Sequence, residues 1–341
     1  IKSGVYLPTF EEVLEFSTSL KKFFQKFPDI KTHVEALCGQ VRAVSRHAGW
    51  VVVGENLDEH MPLIQSGGVL QTPWSEGQNV RHLEPLGFIK FDILGLSTLR
   101  MIETAVEHIL RRHHGVDNPT FADIKKYYNK HLHPDVMNFS DEKVYDKVFQ
   151  AGNFVGVFQF TQKGAQEFCV RAKPRNLIDL SAITSIYRPG PLGADVDKDY
   201  VKAKEDPECV HYYHPIIEKV TKETYGFLIF QEQIALLAHK LGKDISLDEA
   251  NLLRKLLTKK GTGKGAAEKF IRGCGENNID ETTATKLWQT LEYFNGYGFN
   301  KSHAISYSIL SFQCAWLLAN YPAEWVAAFL DKEPEGRKEQ A

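Results

Sequence analysis

Residues 88–110 read FIKFDILGLSTLRMIETAVEHIL, and the hydrophobic period changes within this stretch. Up to Ile93 the residues alternate, so one strand face carries Phe88, Lys90 and Asp92 and the other carries Ile89, Phe91 and Ile93. Beyond Gly95 the apolar residues recur at helical spacing, at Leu99, Ile102, Val106, Ile109 and Leu110. The stretch therefore predicts a strand of a small sheet followed directly by a long helix.

On the amino-terminal side of this stretch, the sequence predicts a second strand and two short helices. The β-branched run Trp50–Val53 is typical of a short strand, which we assign to the same small sheet. Between Phe10 and Leu37 the apolar residues recur at roughly helical spacing, and Pro28 interrupts them.

On the carboxyl-terminal side, helical patterns dominate. Ser246 followed by Glu249 is a capping-box pattern that opens a helix over Leu247–Lys260. Another helix, ending before Pro322, is marked by Ile305, Ile309, Phe312 and Trp316. We therefore predict an α+β fold that is mainly helical, with a small sheet and a large helical domain.

Composition restricts the class of protein. The length of 341 residues predicts two or three packed units. Hydrophobic residues make up 43% of the chain without a long apolar run, which argues against a membrane protein. The five cysteines are scattered and never form a CxxC pair, which fits a reducing, cytoplasmic location. Because the formal net charge is −2, a polyanion-binding surface must be a local basic patch.

Lys90 and Asp92 are the first candidate site residues. On a strand they share a face, about 6.6 to 7 Å apart, which suits a carboxylate that binds Mg²⁺ and an ammonium that neutralises a phosphate on the same ion. For this segment taken alone, an exposed strand carrying an ion pair is the simpler explanation.

A basic cluster forms the second candidate. No acidic residue lies between Asn251 and Ala267, and the cations there are Arg254, Lys255, Lys259, Lys260 and Lys264. Such a row suits a triphosphate or a nucleic-acid backbone, because neutralising phosphates supplies much of the affinity. A solvated helix face is an equally simple explanation.

Residues 296–303, GYGFNKSH, are the third candidate. The aromatic faces of Tyr297 and Phe299 suit a nucleobase or a sugar, and Lys301 and His303 suit phosphate or ribose. A ligand site and a buried, hydrogen-bonded turn both fit this composition.

Two further clusters do not satisfy the rules for metal sites. Asp195, Asp197 and Asp199 imitate the start of a calcium loop, but the sixth position is Tyr200 instead of glycine, so solvated charge is the better interpretation. Cys209, His211 and His214 have no partner pair at zinc spacing, so a structural role is favoured.

Several strings, taken in order, resemble the C-family bacterial replicative polymerases, the DNA polymerase III alpha subunits. The strings lie between Val41 and Leu330 and include HAG at 47–49, KFDILGL at 90–96, GVFQ at 156–159, YRPGPL at 187–192, YG at 225–226, QEQ at 231–233, LLRK at 252–255, GYGFNKSH at 296–303 and YPAE at 321–324. The resemblance implies four regions: a helical thumb remainder over 1–41, a partial palm over 42–104, helical fingers over 105–330 and a disordered tail over 331–341.

The resemblance also implies residue roles. Asp92 matches the third metal-binding aspartate of the palm, and Lys90 matches a lysine that approaches the nucleotide phosphates. The residues Arg254 and Lys255 match a basic pair that binds the triphosphate, and the family usually has two arginines at these positions. In the fingers, the family residues that surround the base and sugar of the incoming nucleotide correspond to Tyr297, Phe299 and His303 of this chain. A further arginine of the family's fingers corresponds to Arg188.

The main departure from the family concerns the palm. The first two metal aspartates of the family lie in an upstream PDIDxD-like string, which this sequence lacks. One aspartate cannot hold two Mg²⁺ ions, so we expect a partial catalytic core of a DNA-directed DNA polymerase, inactive alone. Expected partners are primer-template DNA, dNTP, a complementary polymerase fragment carrying the upstream palm, and other replisome subunits. The alternative is a non-catalytic nucleic-acid-binding subunit that retains the fingers.

Overall fold

The computed structural model describes residues 9–38, 40, 49–74, 83, 85–93, 95–188, 195–257, 264–295 and 298–332, with the side chains of 253–257, 264 and 293–295 outside the description. The described residues fall into two compact units, one within Pro8–Ser97 and the other from Thr98 onward. As predicted, the fold is α+β and mainly helical.

The first unit contains four helices and four short strands among its described residues. They are α1 Phe10–Phe16, α2 Thr18–Lys26, α3 Pro28–Leu37, β1 Trp50–Val53, α4 Leu57–His60, β2 Ile64–Ser66, β3 Val69–Gln71 and β4 Ile89–Asp92. The prediction of two helices before residue 38 was wrong, because Ser17 separates α1 from α2. Its hydroxyl accepts a hydrogen bond from the Leu20 N–H and so starts a new helix.

The prediction that the two strands belong to one small sheet is confirmed. Strands β1 and β4 are antiparallel, with Trp50 opposite Asp92 and Val52 opposite Lys90. The sequence did not predict the separate hairpin of β2 and β3. Its signal is the pair Gly67 and Gly68, which both adopt the positive φ that a two-residue hairpin turn requires.

The second unit is built from helices. Its longer described helices are α5 Ser97–His114, α6 Phe121–His131, α7 Glu142–Val144 continued by a π-turn over Tyr145–Gln150, α8 Lys163–Ala172, α9 Leu177–Ile186, α10 Val196–Glu205, α11 Pro215–Thr221, α12 Gln231–Leu241, α13 Leu247–Leu257, α14 Lys264–Glu276, α15 Glu281–Asn295, α16 Lys301–Asn320 and α17 Pro322–Lys332. None of the helices in the described ranges has the length and apolar character needed to cross a bilayer.

Local sequence signals account for several of these helices. The capping box at the start of α13 is present, since Ser246 and Glu249 exchange backbone-to-side-chain hydrogen bonds. In α5 the predicted stripe is buried at Ile102, Val106, Ile109 and Leu110, but Leu99 is 52% exposed. Thr98 and Met101 take the inward positions of the first turn instead.

The core of the second unit forms where α9 packs against α16 and where α12 packs against α13 and α15. The helix α16 is apolar on most sides and buries Phe312, Cys314, Ala315 and Leu317 completely. The amino-terminal turn of α16, which contains Lys301 and His303 of the third candidate segment, is exposed at His303. Residues 331 and 332 of the expected tail belong to α17, and 333–341 lie outside the described residues.

Candidate nucleotide-binding site

Three of the predicted site residues meet at the start of α16. The Arg188 guanidinium carbon lies 4.5 Å from the centroid of the Phe299 ring. The His303 ring stands edge-on to Phe299, with centroids 5.5 Å apart and planes at 67°. A cation over one aromatic face with an imidazole beside it is an arrangement that accepts a base or a sugar phosphate.

The exposure of the three residues leaves them accessible. Arg188 and His303 are exposed and Phe299 is half-buried. Desolvation of the guanidinium lowers the pKa of Arg188 from its ordinary value, although an arginine keeps its charge at neutral pH. The cluster therefore offers a permanent positive charge beside a ring that is fixed by its own backbone.

The backbone of Phe299 is fixed by a short parallel bridge to Phe230. The Phe299 N–H donates to the Ile229 carbonyl and the Gln231 N–H donates to the Phe299 carbonyl, both at 2.9 Å. Both hydrogen bonds attach the segment before α16 to the segment before α12.

A buried amide holds the partner segment of that bridge. The Gln233 side-chain oxygen accepts hydrogen bonds from the N–H groups of Ile229 and Phe230, each at 2.9 Å. Its nitrogen donates to the Thr224 hydroxyl at 2.8 Å and the Val220 carbonyl at 3.2 Å. Because Gln233 is 3% exposed and its amide is satisfied on both sides, it is a specific part of the scaffold.

The first turn of α16 is capped by side chains. The Asn300 side chain accepts from the His303 N–H at 2.8 Å, and the Glu232 carboxylate accepts from the Lys301 N–H at 2.9 Å. Acidic and amide oxygens stabilise this positive helix end. The Lys301 ammonium pairs with Glu223 at 2.5 Å, so its charge is engaged within the protein.

Arg188 is positioned by helix α9. Its N–H donates to the Ile186 carbonyl at 2.7 Å, directly after the helix ends. The hydroxyls of Ser181 on α9 and Ser308 on α16 are 2.9 Å apart and both residues are buried. The contact fixes how α9 lies on α16 and thereby brings Arg188 to Phe299.

The other end of α9 is anchored by a buried ion pair. Asp179, 1% exposed, pairs with Lys204 of α10 and accepts from the Arg175 N–H at 2.9 Å and the Tyr225 hydroxyl at 3.3 Å. Burial, followed by the charge of Asp179, raises the pKa of Tyr225 to about 12. The phenol therefore remains a hydrogen-bond donor at neutral pH.

Lys90 and Asp92 lie in the first unit. They share a face of β4, as the period predicts, and Asp92 is exposed. The Lys90 ammonium lies 3.1 Å from the centroid of the Trp50 ring, in a cation–π contact across the strands. The predicted surface strand is thus present, with an accessible carboxylate beside a lysine.

The remaining predicted residues are only partly described. Arg254 and Lys255 are on helix α13, but their side chains lie outside the description, and Tyr297 lies outside the described residues altogether, as do Pro189 to Ala194 after Arg188. Their roles stay predictions.

The two candidate metal clusters set aside above have structural partners. Asp197 is buried and pairs with Arg171 at 2.8 Å, and Asp195 pairs with Lys198 at 2.7 Å. The prediction that this segment carries only solvated charge was wrong for Asp197. Helix α10 packs on α8, and this packing places the Asp197 carboxylate beside Arg171 of α8. His214 accepts from the Ile216 N–H at 3.1 Å and caps α11.

The fold and this cluster define a mainly helical α+β protein whose surface site combines a cation, aromatic rings and an imidazole. The sequence model of the bacterial DNA polymerase III alpha subunit finger domain matches residues 99–278. The match covers more than half of the chain, which therefore belongs to the bacterial DNA polymerase III alpha subunit family.

Individual relatives agree with this assignment. The chain is 33% identical over 331 residues to the DNA polymerase III subunit alpha of Campylobacter jejuni, covering 95% of this chain and 26% of that protein. It is 36% identical over 338 residues to the subunit of Aquifex aeolicus, covering 96% of this chain and 27% of that protein. The chain thus spans about a quarter of the length of the curated relatives it matches.

Proposed function

We propose that this chain supplies the nucleotide-holding fingers and one palm carboxylate of a DNA-directed DNA polymerase. Such an enzyme transfers a nucleotidyl group from dNTP to the primer 3′-hydroxyl and releases pyrophosphate. The observation that carries the proposal is the contact of Phe299 with Arg188 and with His303, which two distant parts of the sequence bring to one exposed position.

The chemistry of that position suits an incoming nucleotide. An aromatic face binds bases without sequence preference, and a guanidinium binds phosphate oxygens through two parallel hydrogen bonds. Arg254, Lys255 and Tyr297 join the site by family resemblance, with the cations directed to the triphosphate. These residues bind and orient the nucleotide and do not themselves break a bond.

The palm contribution is Asp92 with Lys90. Exposed carboxylate is the ligand type that Mg²⁺ prefers, and two Mg²⁺ ions would stabilise the attacking and leaving oxygens. Within the described ranges, however, no group of three His, Cys, Asp or Glu side chains could hold a metal ion. In this proposal Asp92 supplies one ligand, and an upstream palm segment supplies the others, as the family resemblance implies.

The proposed partners follow from the assignment of fingers residues and one palm carboxylate to this chain. They are primer-template DNA, dNTP and a complementary fragment with the upstream palm aspartates, in a cytoplasmic replisome. Lys90 and Arg188 would contact phosphate, whereas Phe299 and His303 would contact the base and sugar.

The test is reconstitution of activity. The purified chain should extend no primed template, and mixing it with a fragment that carries the upstream palm aspartates should give Mg²⁺-dependent extension. Robust extension by the chain alone would contradict the proposal. Tight DNA binding by a mixture that never extends a primer would instead favour the non-catalytic nucleic-acid-binding subunit.

A variant tests the site itself. Arg188→Ala should raise the apparent nucleotide constant of the reconstituted enzyme about tenfold or more, because it removes a charge-assisted contact. Arg272→Ala is the matched control, since Arg272 is an exposed arginine that forms a 3.9 Å ion pair with Asp244. Equal nucleotide constants for both variants would show that Arg188 lies outside the nucleotide site.

A further inference from the structure

The ring contacts of the site continue beyond His303. The centroids of His303 and Tyr307 are 4.0 Å apart with planes at 37°, and those of Tyr307 and Phe158 are 5.1 Å apart. Tyr307 is one helical turn beyond His303 on α16, so the two side chains share a face. Phe158 comes from a distant turn of the chain and forms the far end of this ring series.

The turn that carries Phe158 is fixed by two hydrogen bonds. The Ser311 hydroxyl, one turn beyond Tyr307, lies 2.9 Å from the Phe158 carbonyl, and the Trp325 indole N–H donates to the Val155 carbonyl at 2.8 Å. Gly156 has φ +68°, and a Cβ there would lie 3.1 Å from the indole nitrogen. The turn therefore has little freedom, and Phe158 forms a rigid support for Tyr307.

The imidazole of His303 is not fixed in orientation by its own backbone. The backbone N–H of His303 donates to the Asn300 side chain, but the His303 side chain is exposed and stands in the first turn of the helix. The described ring contacts of His303 are Phe299 on one side and Tyr307 on the other. Aromatic pairs of this kind restrict the rotamers of both partners.

We propose that Tyr307, backed by Phe158, is a positioning residue that holds the His303 imidazole in the orientation needed to contact the incoming nucleotide. The inference rests on the proposed function and deepens it. Pre-orienting a side chain reduces the entropy that is lost when a ligand binds. Loss of the Tyr307 ring should therefore lower nucleotide affinity more than it lowers the extension rate of the nucleotide-bound complex.

Three variants separate this role from a general structural one. Tyr307→Leu keeps the apolar bulk and removes the ring, whereas Tyr307→Phe keeps the ring and removes the hydroxyl. Tyr213→Leu is the matched control, because Tyr213 contacts another histidine, His211, with centroids 5.0 Å apart. Thermal unfolding of each variant shows whether the fold is retained.

The first measurement is independent of polymerase activity. In the chain alone, with labelled histidines, the His303 ring resonances should move in Tyr307→Leu, because the ring current of Tyr307 is lost and the imidazole reorients. In Tyr307→Phe and Tyr213→Leu they should stay near their original positions. Unmoved His303 resonances in Tyr307→Leu would overturn the inference, whatever the polymerase does.

The second measurement uses the reconstituted enzyme in single-turnover extension. Tyr307→Leu should raise the apparent nucleotide constant about three- to tenfold, with a maximal rate within about twofold of the original. Tyr307→Phe should restore the original constant. Lost primer-template affinity with normal nucleotide binding would overturn the inference and make the ring series a stacking platform for a template base.

Failure of the proposed function gives a different result. If no mixture extends a primer and Arg188→Ala changes nothing, the polymerase assignment fails while the resonances still decide whether Tyr307 positions His303. If extension works and the resonances move but the nucleotide constant does not, the positioning has no role in nucleotide binding.

Discussion

The Arg188 guanidinium lies 4.5 Å from the centroid of the Phe299 ring, although the two residues adjoin separate helices of the second unit. Neither residue reaches the other through local structure. Arg188 follows α9, Phe299 precedes α16, and the buried Ser181–Ser308 hydrogen bond fixes these helices against each other. The contact makes the candidate site a product of helix packing.

Removing the Asp92 carboxylate should stop catalysis without releasing DNA. In the reconstituted enzyme Asp92→Asn should lower the rate by orders of magnitude, because a neutral amide is a poor Mg²⁺ ligand, while template binding stays nearly unchanged. The control is Asp58→Asn, an exposed aspartate of α4 in the same unit. Near-normal turnover of Asp92→Asn would show that Asp92 is not a ligand of the catalytic metal.

The basic pair of α13 should control nucleotide affinity. Arg254→Ala should cost about 1.5 to 3 kcal/mol of nucleotide binding, and Lys255→Ala should cost less, because a lysine lacks the planar fork of an arginine. Lys255→Arg should keep or tighten the affinity. Single-turnover extension measures the apparent nucleotide constant, with primer-template affinity followed separately.

The control for this pair is Lys240→Ala, an exposed lysine near the end of α12. It should leave the nucleotide constant unchanged. If the two α13 alanine variants lose only primer-template affinity, their helix contacts the duplex instead of the triphosphate.

The buried amide of Gln233 should stabilise the second unit. Gln233→Leu leaves the N–H groups of Ile229 and Phe230 without their acceptor, which should lower the free energy of unfolding by about 2 to 4 kcal/mol. Urea unfolding of the chain measures this change. Gln162→Leu alters an exposed glutamine and should cost well under 1 kcal/mol; an equal loss in both variants would contradict the assigned role.

Glu324 should make stability depend on acid pH. Its carboxylate, 5% exposed, accepts from Arg112 at 3.0 Å and from His113 at 2.9 Å. Burial alone would raise the pKa of Glu324, but hydrogen bonds from its own backbone and from His113, together with the neighbouring charges, lower it below 4.5. The stabilisation is therefore complete above pH 4.5 and is lost as the pH falls through the lowered pKa.

Replacing this carboxylate gives the test. Glu324→Gln should be less stable than the original chain by about 1 to 3 kcal/mol at pH 7, and the difference should shrink below pH 4.5. Thermal or urea unfolding across pH 3 to 7 measures it. Glu167→Gln, which alters an exposed pair with Lys163 at 3.9 Å, should change stability little at any pH. A difference that grows toward low pH would show the sign to be wrong.

The sequence by itself determined the elements with strong local signals. Alternation over residues 88–93 and the run Trp50–Val53 predicted two strands of one small sheet, and the Ser246 and Glu249 pattern predicted the start of α13. These signals act within a few residues, where backbone geometry and capping hydrogen bonds decide the conformation. The chemistry of residues 296–303 marked Phe299 and His303 as candidates in one segment, and family resemblance added Arg188.

Only the tertiary structure decided which of these candidates meet. No role was predicted for Tyr307, Phe158 or Gln233, although the position of Tyr307 four residues after His303 indicates that the two share a helix face. Their contacts depend on how α9, α12 and α16 pack, since side-chain volume and buried hydrogen bonds must be satisfied together across distant segments. Local periodicity does not carry that information, so the cluster of Arg188, Phe299 and His303 became visible only when the helices were assembled.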